Sequence, residues 1–363
     1  TAQIQPVVVP AIVLAEHVHG EAEVAVGLCV RNPAARVRLH FGLRAAVGVR
    51  AEVEPLMHLA WLLVLGRVHS DVLQSAQEAA AEKASQTDAV VESTSPQNDS
   101  LALERYKATL GSFAYSATLP SATDDVTELE NDVLALKVSN KGGFITEARL
   151  KNFKSYDSVP VYLIKDGNSR FNLTFSTTDN RTLNSENLYF EPSLSKEGEN
   201  QVLSMKLKVS DSEYLEYRYT LKPDDYMMGF GIKTVGLQNV VNTSQPINLD
   251  WQLKGYRHAK SITYENRYTR LTYEYEDGDH DKLDQTGDDD AIETDVDWFN
   301  FRQHFFSSIL LTDQPFEEVR FSSKNLVEDE EVDTVYTKQY AANMALKPVN
   351  GELNYAMDFY YGP

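Results

Sequence analysis

Residues 131–153 have the sequence NDVLALKVSNKGGFITEARLKNF, and the fold class follows from this stretch. Apolar residues recur near a two-residue period before the NKGG segment, and the same period restarts after it. Asn140, Gly142 and Gly143 tolerate the positive φ angles that a tight hairpin turn requires. The stretch therefore predicts a half-buried antiparallel hairpin. Its apolar positions are Val133, Ala135 or Leu136, Val138, Phe144, Ile145, Ala148 and Leu150.

Length, charge and cysteine content limit the class of protein. The 363 residues are enough for one large β domain with additional segments, or for two domains. The net charge is −20 and the pI about 4.8, whereas a nucleic-acid-binding surface is basic, so we expect no nucleic-acid partner. The single cysteine, Cys29, excludes an internal disulfide and any multi-cysteine metal site.

No apolar run reaches the roughly 18–20 residues that span a bilayer; the best candidates are residues 7–15 and 56–65. A signal peptide with a charged start, an apolar core and a cleavage site is not recognisable either. We expect a soluble chain or a soluble part of a larger protein.

Residues 1–75 differ in composition from the rest of the chain, with no Lys and no Tyr. A metal site is not favoured, because the H-x-H pair lacks an acidic or cysteine companion at ligand spacing. We expect an irregular segment that is non-native or misframed; a small folded module is the alternative. The histidines of this segment are His17, His19, His40, His58 and His69.

Residues 76–125 predict a disordered polar linker. The runs SAQEAAAEKASQ and TDAVVESTSPQNDS combine low hydrophobicity with scattered charge. Such segments bury too little apolar surface to offset the entropy lost on ordering.

Residues 126–363 predict a mainly β domain, because short alternating segments recur with almost no helix between them. In residues 202–209, VLSMKLKV, Leu203, Met205 and Leu207 share one face. One solvent-exposed face and one buried face are typical of antiparallel sheets, and many short strands favour a sandwich. The predicted strands are Leu134–Ser139 and residues 144–151, 161–163, 172–175, 188–191, 201–210, 213–221, 226–235, 247–253, 269–276, 307–312, 319–323, 335–344 and 356–360.

Residues 296–306, VDWFNFRQHFF, predict one short helix. Trp298, Arg302 and Phe305 fall near the i, i+4, i+7 spacing of one helix face. A buried strand is the alternative here.

The acidic run at residues 274–290 has part of a calcium-loop pattern. Asp277, Asp279 and Asp281 have the D-x-D-x-D spacing, and Asp288 falls at the twelfth position. The sixth position holds Lys282 where glycine is needed, and the final bidentate Glu is missing. A solvated acidic loop is therefore favoured over a calcium site.

No other constellation assigns a chemistry. The G-x-S-x-G motif is absent, and nothing in the sequence brings His258, His280 and His304 together across a cleft. Gly229 and Gly231 lack the spacing of a phosphate-binding loop. We assign no catalytic, cofactor-binding or metal-binding residue.

Tyrosines are the remaining candidates for a sugar- or peptide-binding groove. Strand-borne tyrosines more often pack as cross-strand pairs with the hydroxyl at the rim, and we favour that interpretation. The residues concerned are Tyr214, Tyr217, Tyr219, Tyr264, Tyr268, Tyr273 and Tyr275.

Several blocks match one family in order and spacing: SNKGGFITEARLKNF, NLYFEP, YTLKPDDYMMGF, ITYENRYTRLTYEY, VDWFNFRQHFFSSILL and DFYYGP. Together they resemble the large periplasmic domain of the YidC membrane protein insertases, in the form carried by Bacteroidetes. The resemblance covers roughly residues 131–363. It includes a W-x-x-x-x-Q-x-F-F-S segment formed by Trp298, Gln303, Phe305, Phe306 and Ser307.

The resemblance implies a galactose-mutarotase-like antiparallel β supersandwich with a short packed helix. It implies a non-enzymatic domain without a cofactor at the periplasmic face of the bacterial inner membrane. Its partners would be Sec translocon components and nascent membrane proteins, with a surface cleft for a peptide. A membrane tether is expected in the full-length protein but is absent here, and the insertase groove lies in membrane helices outside this sequence.

Two other functions remain open. One is a carbohydrate-binding or carbohydrate-active β sandwich, because that fold is shared with sugar-active enzymes. The other is a calcium-stabilised adhesion module, which depends on the acidic run alone.

Overall fold

A computed structural model describes residues 12–18, 21–27, 96–276 and 278–363, with side chains from residue 103 onward. The chain divides into two units, residues 1–93 and 94–363. In the first unit, strands β1 (Ile12–Val18) and β2 (Glu21–Gly27) pair antiparallel, although the sequence predicts irregular structure there. His17 lies on β1 opposite Ala22. His19, His40, His58, His69, Cys29 and residues 76–95 of the predicted linker lie outside the described residues.

The second unit begins with helices inside the predicted linker. They are α1 (Pro96–Leu110), a 3₁₀ turn (Gly111–Phe113) and α2 (Ala114–Ala117). Phe113 is fully buried, and its ring centroid lies 5.3 Å from that of Phe175. Residues 96–117 therefore contain helices within the predicted linker, and the buried Phe113 packs this segment against Phe175.

Two antiparallel sheets form the body of this unit. The smaller sheet has the order β3–β4–β5–β6, and the larger contains thirteen strands, so the prediction of a mainly antiparallel β domain is confirmed. The strands are β3 (Val126–Glu130), β4 (Leu134–Ser139), β5 (Ile145–Lys154), β6 (Pro160–Ile164), β7 (Ser169–Ser176), β8 (Thr182–Asn184), β9 (Glu191–Glu197), β10 (Asn200–Lys208), β11 (Tyr214–Leu221), β12 (Met227–Val235), β13 (Ile247–Tyr256), β14 (Arg270–Tyr275), β15 (Asp279–Lys282), β16 (Asp289–Gln303), β17 (Phe306–Asn325), β18 (Tyr336–Leu346) and β19 (Asn354–Gly362). A short helix, α3 (Ile262–Asn266), precedes β14.

The long strand β17 joins the two halves of the larger sheet. It pairs with β19 through residues 307–312 and with β18 through residues 319–325. The halves face each other, since the Phe171 ring on β7 lies 5.6 Å from Phe230 on β12 and Trp251 on β13 lies 5.2 Å from Phe359 on β19. This sandwich interior is an aromatic core.

Residues 131–153 form the predicted hairpin, β4 and β5, with Leu134 opposite Leu150. Gly142 and Gly143 adopt φ angles of 86° and 66°, in the region that favours glycine. The Phe144 ring stacks on Phe171 at 4.2 Å, which packs the hairpin against the larger sheet.

The predicted helix at residues 296–306 is wrong, because this segment is the end of β16 and the turn into β17. Phe299 and Phe301 alternate on the core face and are fully buried. Trp298 points to the other face, where its indole N–H donates to Glu274 at 2.5 Å. Pairing with β14 and β17 on both edges overrides the accidental helical spacing.

Candidate functional site

A groove of about 200 Å³ opens between the turn that precedes β6 and the end of β13. Exposed apolar side chains line it, namely Tyr156, Val159 and Val335. Arg257 and Lys165 bring positive charge to the same walls. We call this site the β6 groove.

The aromatic walls of the β6 groove are held by cations. The Arg257 guanidinium lies 5.0 Å from the ring centroid of Tyr156 and donates to its hydroxyl at 2.6 Å. Lys165 Nζ lies 4.7 Å from the ring centroid of Tyr162. The Tyr156 N–H also donates to the His258 carbonyl at 3.0 Å, which joins the two walls. These contacts connect the two walls of the groove.

The β6 groove also contains an ionised carboxylate. A hydrogen bond from the Ser155 hydroxyl, helped by the charge of Arg257, lowers the pKa of Asp157. Aromatic faces beside cations and a carboxylate can hold an extended polar chain with apolar side groups, or a sugar ring stacked on a tyrosine.

The three histidines considered in the sequence have separate surroundings. The His258 Nε2–H donates to the Tyr162 carbonyl at 3.0 Å, and its Nδ1 lies 3.5 Å from a Glu265 carboxylate oxygen. Burial lowers the pKa of His304, whose ring centroid lies 5.2 Å from that of Tyr268. His280 lies elsewhere, 3.6 Å from Glu274.

The Glu265 carboxylate accepts hydrogen bonds from the backbone. It is fully buried, and it accepts the His258 and Ala259 N–H groups at 2.7 and 2.8 Å. A buried carboxylate with these bonds anchors α3 to the end of β13, and it offers no oxygen to a substrate.

The acidic run forms a β hairpin. Asp279 and Asp281 lie on β15, opposite Tyr275 and Tyr273 of β14, while Asp277 lies outside the described residues. An extended strand does not wrap a calcium ion as a twelve-residue loop does. Among the described residues, no group of three or more His, Cys, Asp or Glu side chains could hold a metal ion.

Three of the seven candidate tyrosines pack in the core. Tyr217, Tyr219 and Tyr273 are buried, and the Tyr219 hydroxyl donates to the Gly143 carbonyl at 2.8 Å. Tyr264 and Tyr268 are both exposed. Tyr214 and Tyr275 are half-buried.

Gly229 and Gly231 lie within strand β12 and therefore form no phosphate-binding loop. In the part of the chain that is described, no helix has the length and apolar character to cross a membrane.

The β6 groove was not predicted from the sequence. Its key residues, Tyr156, Tyr162 and Arg257, belong to three separate segments and form no motif. The turn SYDSVP was the available signal, because it places a tyrosine and an aspartate between two strands.

The two sheets define a mainly antiparallel β-sandwich domain. A family model described as the YidC periplasmic domain matches residues 126–363. The chain belongs to this family, which confirms the resemblance noted in the sequence.

Relatives in several organisms bear the name membrane protein insertase YidC. The Parabacteroides distasonis protein is 32% identical over 80% of this chain and 45% of its own length. The Porphyromonas gingivalis protein is 34% identical over 57% of this chain and 33% of its own length. The Bacteroides fragilis protein is 32% identical over 72% of this chain and 41% of its own length. The chain therefore spans less than half the length of these relatives.

Solved structures of sugar epimerases are distantly similar. A putative aldose 1-epimerase from Escherichia coli K12 shares 10% identity and covers 65% of this chain and 98% of its own, with a TM-score of 0.38. A galactose mutarotase related enzyme from Lactobacillus acidophilus shares 9% identity and covers 66% of this chain and 98% of its own, with a TM-score of 0.36. Likeness at this level carries no argument about activity.

Proposed function

We propose that this chain is the periplasmic part of a membrane protein insertase at the bacterial inner membrane. It assists the insertion and folding of inner-membrane proteins and catalyses no reaction. The observation that carries this proposal is the family match over residues 126–363, which extends from β3 to the end of β19.

The β6 groove is the proposed contact site for a partner, either a nascent membrane protein or a Sec translocon component. Tyr156, Val159 and Val335 offer exposed apolar surface, and Arg257 and Lys165 offer donors beside it. A nascent membrane segment has apolar side chains and a polar backbone, and this lining is complementary to both.

Site-specific photo-crosslinking in the full-length insertase tests this role. A photoreactive residue at Val159 or Val335 should give adducts with translocon subunits or nascent membrane proteins in inner membranes. The matched control is Val349, which is exposed elsewhere on the domain. Equal adducts from Val349, or none from either groove position, would contradict the proposal.

A carbohydrate-binding function is the second candidate. It is favoured by the tyrosine faces of Tyr156 and Tyr162 close to the ionised Asp157. Calorimetric titration with a panel of oligosaccharides should then show binding that Tyr156→Ala removes. Absence of heat for every sugar in the panel would eliminate this candidate.

A further inference from the structure

Positive charge is concentrated in one segment of an acidic chain. The chain has 34 Lys and Arg against 54 Asp and Glu. Residues 257–270, RHAKSITYENRYTR, nevertheless contain four cations and a single acid, Glu265. Because Glu265 is fully buried, only the cations of this segment act on the solvent.

The same surface places two arginines opposite each other. Arg270 on β14 is the direct cross-strand neighbour of Arg302 on β16. Like charges opposite each other destabilise a sheet, so this pair costs stability unless an anion binds there. Arg302, Lys260 and Arg267 are exposed, and none of them has a carboxylate partner within ion-pair distance among the described residues.

Exposed aromatic rings lie among these cations. The side chain of Phe305 is 69% exposed, Tyr264 is 51% exposed and Tyr268 is 39% exposed. The rings of Tyr264 and Tyr268 lie 5.0 Å apart, and both contact His304. Phe305 follows His304 in the turn between β16 and β17, where His304 has a φ of 59°. The rings are therefore exposed to solvent around the turn between β16 and β17, which we call the tip.

We propose that this tip docks on an anionic phospholipid surface. The basic aromatic surface consists of Lys260, Tyr264, Arg267, Tyr268, Arg302 and Phe305. Cations attract anionic headgroups, and tyrosine and related amphipathic rings settle at the level of the headgroups. Exposed rings beside cations can insert among lipid headgroups, whereas small-molecule ligands favour concave pockets.

One edge of the basic aromatic surface is acidic. The Thr263 hydroxyl donates to a Glu330 carboxylate oxygen, within the acidic sequence EDEE at residues 328–331. An anionic membrane repels these residues, so the footprint ends at Thr263. The inference relies on the proposed function for the presence of a membrane, but its test does not involve protein insertion.

Vesicle co-flotation of the full chain tests the inference. The vesicles contain about 30% phosphatidylglycerol in phosphatidylcholine, against pure phosphatidylcholine, in low salt. We expect binding only with phosphatidylglycerol. Each of the single variants Lys260→Gln, Arg267→Gln and Arg302→Gln should weaken it about fivefold. Phe305→Ser should also weaken it several-fold.

Two variants elsewhere provide the matched controls. Arg320→Gln removes an exposed arginine that is paired with Glu318 at 2.7 Å, and Ile292→Ser removes an apolar side chain that is 54% exposed. Both should bind vesicles as the unmodified chain does. Equal binding to both vesicle types, an equal effect of the control variants, or no binding at all would overturn the inference.

Other occupants give different results. If soluble polyglutamate binds the tip as tightly as the vesicles do, the partner is an acidic peptide and the lipid proposal is wrong. If Phe305→Ser abolishes vesicle binding by this chain but leaves the groove crosslinks of the full-length insertase unchanged, docking is a property separate from the groove contact. If the unmodified insertase gives no groove crosslinks while this chain binds vesicles, only the proposed function is contradicted.

Discussion

Replacement of Gly143 by alanine tests the turn that joins β4 to β5. Gly143 has a φ of 66°, and a Cβ built on it would lie 2.8 Å from Cγ of Phe190. Phe190 is fully buried, and its ring stacks on Tyr217 with centroids 4.9 Å apart. The ring therefore cannot withdraw from a new methyl group without disturbing the core.

The expected cost has two parts. An alanine held in the left-handed region costs about 1–2 kcal/mol. Forcing an extra methyl group into a packed core costs about 1–3 kcal/mol. The two together predict a loss of roughly 2–5 kcal/mol in the free energy of unfolding. The hydrogen bond from the Tyr219 hydroxyl to the Gly143 carbonyl would be disturbed as well.

Urea unfolding of the full chain, followed by tryptophan fluorescence, measures this loss. Gly198→Ala is the matched control, because Gly198 has a φ of 63° and a Cβ added to it would meet no atom within 4 Å. The control should lose only the conformational part, about 1–2 kcal/mol. If Gly143→Ala costs no more than Gly198→Ala, close packing between the NKGG turn and Phe190 does not contribute to stability.

Four further outcomes are expected. Asn131→Ala should lower the free energy of unfolding in urea by about 2–4 kcal/mol, because the Asn131 amide accepts two backbone N–H groups and donates to two carbonyls. Asn131→Asp keeps the acceptors and should lower it less. Burial lowers the pKa of His304, so its contribution to the free energy of unfolding is complete above the unfolded pKa of about 6.5 and decreases as the pH falls below it. His304→Asn tolerates the left-handed turn and should flatten the decline of the free energy of unfolding between about pH 7 and 5. An unchanged slope would refute this. Burial also lowers the pKa of Lys338, whose Nζ has no hydrogen-bond partner among the described residues. Lys338→Met should therefore raise the free energy of unfolding by about 1–3 kcal/mol. A decrease would contradict this. Millimolar calcium should leave the melting temperature unchanged because Asp279 and Asp281 lie on an extended strand; a rise of several degrees would restore the calcium hypothesis.

Local signals were sufficient for much of the fold. The alternation in residues 202–209 correctly placed Leu203, Met205 and Leu207 on the buried face of β10. The two glycines of the NKGG turn likewise predicted its positive φ angles, because the relevant energetics involve only neighbouring residues. The periodicity of a strand and the residue preferences of a turn depend on consecutive residues, so a short stretch of sequence predicts them.

Other features depend on distant partners. Phe299 and Phe301 face the core because β14 and β17 pair with β16 on both sides, and the window of residues 296–306 contains neither partner strand in full. The His258 ring likewise depends on a distant partner, since it donates to the Tyr162 carbonyl of β6. A single sequence does not reveal such pairings.

The β6 groove and the basic aromatic surface both contain residues of the segment 257–270, so the position of one is coupled to the position of the other. Arg257 lines the groove, while Lys260 and Arg267 belong to the proposed docking tip a few residues later. Glu265 ties the two together, because its carboxylate accepts the N–H of His258, whose ring also donates to β6. The net charge of −20 repels an anionic membrane, whereas the basic tip attracts it. The tip would therefore orient the domain, and the buried Glu265 would hold the groove at a fixed position relative to the lipid surface.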